Sequence, residues 1–396
     1  MSRSELALVT IVTTLVASCT LVSGLQDFTF NTTDGDADSD VEAEADVDGD
    51  TESDAESDAD HDDASPAVRP VDMLFVVDNS SGMGPKQRVF IEAATALLRE
   101  LVVPTADPIG TVPPAVADLH VGVISTDMGS GGQTLPTCSD DPFSGDDGRL
   151  HAEGMRDGCM DSYNAGDCRR ARCPWLTHST EHPDDGSIPD DSPIWDDFSC
   201  IAELGTSGCG FEQPLESALT ALTTQAAPGN LNAGFLRDDS VLVLVFVTDE
   251  DDCSAADDHM FDPDQTDPGP YNVRCALRTD LLEPPQRYIE AFKALHPAEG
   301  AIVVAAMVGV PSDGSWEPGD PLDVLRELVR TDPENPTQMM PICEDGVLGL
   351  ALVPTRIVEV VYGFGERGII GSICDPHPTS LTRDPIVVIR EAMLAE

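Results

Sequence analysis

The sequence predicts an α/β domain: a doubly wound, mostly parallel sheet with helices on both faces. Three observations carry this expectation. The runs 73–77 (MLFVV), 240–247 (SVLVLVFV) and 301–308 (AIVVAAMV) hold no Gly, Pro or charge, and read as strands buried on both faces. Segments with helical spacing lie between them, the alternation that parallel strands with crossover helices require. The strands also end abruptly in acids and hydroxyls, as in Asp78-Asn79-Ser80-Ser81-Gly82 and Thr248-Asp249-Glu250-Asp251-Asp252. Oxygen ligands are thereby placed at carboxyl ends of strands, where open α/β sheets carry their sites.

Composition narrows the function. The chain has 396 residues, 73 acids against 21 Lys and Arg, and a formal net charge of -52. Only two residues are lysine, Lys86 and Lys293. Such a field repels nucleic acid and attracts divalent cations. Adaptation to salt would leave the same composition. Aromatics are 5%, so the core must rest on Val, Leu, Ile and Ala.

Residues 1–18 read as an export signal. The apolar run 6–16 is of signal-peptide length and short for a membrane span. Val16-Ala17-Ser18-Cys19 resembles the lipobox of bacterial lipoproteins, which implies cleavage before Cys19 and lipid on its sulfur. A plain signal peptide cut after Ser18 is the alternative. Thr20, where an Asp would suggest inner-membrane retention, favours the outer membrane or cell surface. Residues 19–66 form an acidic tether. From 34 to 62 nearly every even position is Asp or Glu, with no Lys or Arg, so the segment repels itself and stays disordered. About 30 such residues reach at most ~100 Å. Asp46-Val47-Asp48-Gly49-Asp50 lacks the downstream bidentate Glu of a calcium loop and is rejected as one.

The folded part spans 70–395. After the first strand, Pro85 can open a helix, and Phe90, Ala93, Ala94, Leu97, Leu98 and Leu101 give 89–101 helical spacing. Residues 119–124 (LHVGVI) form a second strand, ending in Ser125-Thr126-Asp127. From 129 to 200 periodicity is lost, and Gly, Asp, Pro and five cysteines point to a cross-linked insertion. Residues 204–210 (LGTSGCG) make a glycine-rich loop that opens a helix over 212–223. Helices are expected at 286–295, 322–330, 356–364 and 386–394.

Two readings of Asp78 and Ser80 stand side by side: ligands for a divalent cation, or caps of the following helix. Here the chain resembles a von Willebrand factor type A (vWA) domain, which is Rossmann-like in fold. That family's metal-ion-dependent adhesion site (MIDAS) uses Asp-x-Ser-x-Ser after the first strand, a Thr in a Gly-rich loop, and an Asp after a later strand. These map onto Asp78 and Ser80, Thr206, and Asp249. The phrases FVVDNS, GTSGCGFEQPL, FVTDEDDCS and GERGIIGSIC are similar to those of surface lipoproteins from myxobacteria and relatives. Gly82 stands where the motif has its second Ser, and Ser81 lies one residue early. The resemblance implies a Mg²⁺ site, with Mn²⁺ or Ca²⁺ next, whose open position takes a carboxylate from a protein or matrix partner. Glu250, Asp251 and Asp252 read either as a second cation site or as an acidic surface loop. His259 could join a cation site with Asp257 and Asp258.

Besides Cys19 there are ten cysteines, an even number that on an exported chain reads as disulfides. Local pairing suggests Cys253–Cys275 and Cys343–Cys374. Cys138, Cys159, Cys168, Cys173, Cys200 and Cys209 would form three more in an order the sequence does not rank. No nucleophile elbow, zinc-protease helix or phosphate loop is present, so no enzyme is expected. The expected function is a lipid-anchored cell-surface protein for cation-dependent adhesion. The alternative is a structural envelope lipoprotein with a degraded metal site and no cation dependence.

Overall fold

The computed structural model describes residues 68–394, apart from 139–144, 152–173, 181–192, 264–268, 379–382 and the single positions 297, 299 and 312. The expected signal segment, Cys19, the expected tether and Cys159, Cys168 and Cys173 lie outside the described residues. Among the described residues no helix is long and apolar enough to cross a membrane.

The sheet begins with β1 (Val71–Val77), every residue of which is buried. It pairs in parallel with β2 (Asp118–Ser125) on one side and β4 (Val241–Val247) on the other. In this register Val77 lies beside both Ser125 and Val247. Asp78, Thr126 and Thr248 therefore leave the sheet side by side. Beyond β4 come β5 (Ile302–Val308) and β8 (Gly368–Ser372), both parallel. The order is β3-β2-β1-β4-β5-β8, and β3 (Leu176–Ser179) is antiparallel to β2. Chain order reverses between β1 and β4, the crevice where doubly wound sheets bind ligands.

Pleating sends alternate residues of β1 to opposite faces. Val71, Met73, Phe75 and Val77 meet α1 (Gly84–Val102), α2 (Ile194–Ile201) and α8 (Arg383–Met393). Leu74 and Val76 belong to the opposite core, with α3 (Pro214–Leu222), α5 (Pro285–Leu295), α6 (Leu322–Arg326) and α7 (Thr355–Tyr362). Phe75 packs between Phe90 and Phe198, at ring separations of 5.5 and 4.7 Å. A side chain so enclosed contributes about 3–5 kcal/mol, judged by truncation to Ala.

The region 129–200 is more than an insertion. It supplies the edge strand β3 and the helix α2, which buries Ile194, Phe198 and Ile201. Both are too short to raise a periodic signal amid Gly, Asp and Pro. β8, with Gly at both 368 and 371, likewise has no unbroken apolar run to announce it. Helix 322–330 stops at Arg326, and the helix expected from 212 starts at Pro214. A short helix α4 (Tyr271–Leu277) and a hairpin of β6 (Cys343–Asp345) with β7 (Gly349–Ala351) complete the described elements. Disulfides join Cys138 to Cys209, Cys253 to Cys275, and Cys343 to Cys374, and Cys200 is also disulfide-bonded.

Candidate functional site

The carboxyl ends of β1 and β4 build the site. The Asp78 N–H donates to Val247 O at 2.9 Å, which extends the ladder by one residue. The Thr248 hydroxyl donates to Asp78 Oδ2 at 2.7 Å, and the Ser80 N–H to Oδ1 at 2.7 Å. The second contact is an Asx turn, which swings the chain from strand to helix. Gln87 Nε2 donates to the carbonyls of Asp78 and Gly205, each at 2.8 Å, and so ties α1 to the glycine-rich loop. Gly208 N–H donates to Asn79 O at 2.9 Å. A Cβ on Gly208 would meet Asn79 Oδ1 at 2.0 Å, so any side chain there would displace the Asn79 amide. Asp78, Ser80 and Asp249 are buried, while Ser81, Gly82, Thr206 and Ser207 are exposed. The first three form a floor and the last four a rim.

A residue the sequence reading passed over sits in this floor. Lys86 is 1% exposed. Its Nζ lies 2.5 Å from Asp249 Oδ2 and donates to Gly82 O at 3.2 Å. It occupies the first turn of α1, where the helix dipole disfavours a cation, so the ion pair must offset both burial and dipole. Helical spacing gave a usable signal. Lys86, Phe90, Ala93 and Leu97 fall on one face of α1, and all four are buried.

Carboxyl groups crowd around that ammonium. Burial, and then the Asp249 charge, push the Asp78 carboxyl up to about 6, against the hydrogen bonds from Thr248 and Ser80. Burial raises Asp249 as well, opposed by Lys86. Glu250 is pushed up to about 8 by burial and by the charges of Asp249 and Asp78. Beneath them Glu212 is wholly buried, and burial followed by the Asp78 and Glu250 charges holds it well above the ordinary carboxylate range. Its Oε2 accepts from the Thr126 hydroxyl, and its Oε1 has no hydrogen-bond partner. In the helix expected over 212–223 Glu212 reads as an ordinary first-turn acid, so the sequence gave no sign of this position.

Asp252 is buried and Asp251 half-buried, and both carboxylates are taken up by helix starts instead of lying free on an acidic loop. Asp251 accepts from the Thr355 hydroxyl at 2.8 Å and the Arg356 N–H at 3.0 Å, and so caps α7. Asp252 is 0% exposed, accepts from Leu215 N–H at 3.1 Å at the start of α3, and pairs with Arg356 Nη2 at 2.9 Å. Each satisfies orphan donors of a helix distant in sequence. His259 pairs with Asp257 at 2.6 Å on the surface.

The residues can be matched to the needs of a divalent ion. Such an ion requires several unshared hard oxygens in a tight shell. Here Asp249 Oδ2 is held by an ammonium, and position 82 has no hydroxyl. A Cβ added at Gly82 would stand 2.8 Å from that same Asp249 oxygen. With Lys86 in place, the donor set suits a monovalent ammonium and not a bare divalent ion. Compared with known proteins, the chain matches no family model and no curated protein.

Proposed function

We propose that this chain is an exported, lipid-anchored cell-surface binding module of the vWA kind, whose ligand seats on the rim formed by Ser81, Gly82, Thr206 and Ser207. One observation carries the reading: the motif positions Asp78, Ser80 and Asp249 converge at the switch point between β1 and β4, beneath that exposed rim. Convergent polar groups at this point of a doubly wound sheet are the usual mark of a ligand site. The ligand class is a protein or matrix polymer of the cell surface, which the exposed hydroxyls of Ser81, Thr206 and Ser207 would meet through hydrogen bonds.

The test is saturable binding of the fluorescently labelled chain to surfaces of cells that lack it. Thr206→Arg should weaken binding at least about tenfold, the loss of roughly 1.4 kcal/mol. Thr206 is exposed, so the melting curve should not move. Unchanged binding by this variant would place the ligand elsewhere. In the same cells Cys19→Ser should release the chain to the medium, and a retained chain would refute the anchor.

A further inference from the structure

We infer that the Lys86 ammonium is the resident cation of the strand-end site, standing where the MIDAS motif implies a divalent metal, so that the site is assembled without one. This concerns the floor of the site and does not depend on what the rim binds.

The composition makes Lys86 conspicuous. A chain with 73 acids keeps only two lysines, and one of them is 1% exposed against Asp249, the Asp after β4 that the motif would give to a metal. Burying an ammonium without a partner costs several kcal/mol, so such a residue persists only where its charge is answered. Asp249 answers it at 2.5 Å, the Gly82 carbonyl adds a second oxygen at 3.2 Å, and the field of Lys86 also reaches Glu250.

Gly82 and Lys86 fit one another. The hydroxyl that the motif places at position 82 is missing, and the carbonyl of that residue accepts from the ammonium. A side chain at 82 would press on Asp249 Oδ2, the oxygen that Lys86 holds. Loss of the hydroxyl and gain of the ammonium thus act at one oxygen atom.

A roof closes over the pair. A Cβ on Gly349, at the start of β7, would lie 3.6 Å from Lys86 Nζ, and Gly349 has φ +84°. Leu352 N–H donates to Asp249 O at 2.7 Å, and the Cys343–Cys374 bridge fastens β6 beyond the end of β8. A hydrated ion would have to share Asp249 with a positive charge, and Mg²⁺ dehydrates reluctantly. Repulsion between the two cations opposes that at any effective dielectric.

Two measurements on the full chain test the inference. In the first, the native protein is acetylated with an amine-reactive ester in EDTA and again in millimolar Mg²⁺, Mn²⁺ or Ca²⁺, and read by mass spectrometry. Lys293 is exposed and should react, while Lys86 should react at least about tenfold more slowly in every buffer, as a group reached only through local opening does. Fast labelling of Lys86 in EDTA, or labelling that a divalent cation switches on, would overturn the inference. In the second, thermal unfolding is followed with and without each cation. The wild-type midpoint should not respond. Lys86→Met should melt several degrees lower in EDTA and recover on adding divalent cation, and the recovery should vanish in Lys86→Met/Asp249→Asn. A wild-type rise abolished by Asp249→Ala, or a folded Lys86→Met that no cation rescues, would refute it. If Lys86→Met does not fold, the labelling and the wild-type titration still decide. Neither readout involves a ligand, so loss of binding in Thr206→Arg is judged separately.

Discussion

Arg356→Met should be among the most damaging single changes away from the rim. Arg356 is 5% exposed at the start of α7, and its guanidinium contacts Asp252 Oδ2 through Nε at 3.1 Å and Nη2 at 2.9 Å. It also donates to Glu283 O at 2.6 Å. Met keeps most of the apolar stem, so lost packing is a minor part of the effect. The main part is Asp252, left as a carboxylate at 0% exposure with only Leu215 N–H and the Ser254 N–H and hydroxyl to hold it. Removing one partner of a buried pair costs about 3–5 kcal/mol. For a folded unit of this size each kcal/mol moves the midpoint by roughly 1–2 °C, so a fall of about 3–10 °C is expected in calorimetry at pH 7. Asp252→Asn added to Arg356→Met removes the stranded charge and should recover a large part of the loss. A single-variant cost below about 1 kcal/mol, or a double variant no better than the single, would refute the assignment of the cost to an uncompensated buried charge.

Glu212→Gln should stabilise the protein at pH 8 by about 1–3 kcal/mol, because it removes a buried carboxyl whose ionisation favours the unfolded chain. The folded pKa of Glu212 is raised, so its contribution is fully present below the unfolded value near 4.5 and is lost as pH rises through the folded one. The gain from Gln should accordingly shrink toward pH 4, and chemical denaturation at both pH values checks this. Replacing Cys343 and Cys374 together by Ser opens a loop of 31 residues and should cost about 3–4 kcal/mol. Because that bridge anchors the roof over Lys86, acetylation of Lys86 should speed up in the same variant, and an unchanged rate would free the hairpin of that role.

The sequence by itself determined the parts of this protein whose signals are local. The apolar runs of β1, β4 and β5 could be read directly because a strand buried on both faces shows as an unbroken run. The placement of Asp78, Ser80 and Asp249 at strand ends followed from where those runs stop. Cys253 with Cys275 and Cys343 with Cys374 were legible because each pair brackets one loop. Only the tertiary structure decided what these groups do. Lys86 meets Asp249 across 163 residues of chain, and Asp252 meets Arg356 across 104, separations over which no spacing rule reports. Asp251 and Asp252 looked like exposed acids because burial of a charge is a property of what packs over it, here α3 and α7. β3, α2 and β8 were missed because each is a few residues long and is held by its neighbours in the sheet and core, not by its own pattern. The Lys86–Asp249 pair was likewise not a local matter: the motif implies a divalent ion at Asp249, and the fold brings an ammonium to its Oδ2.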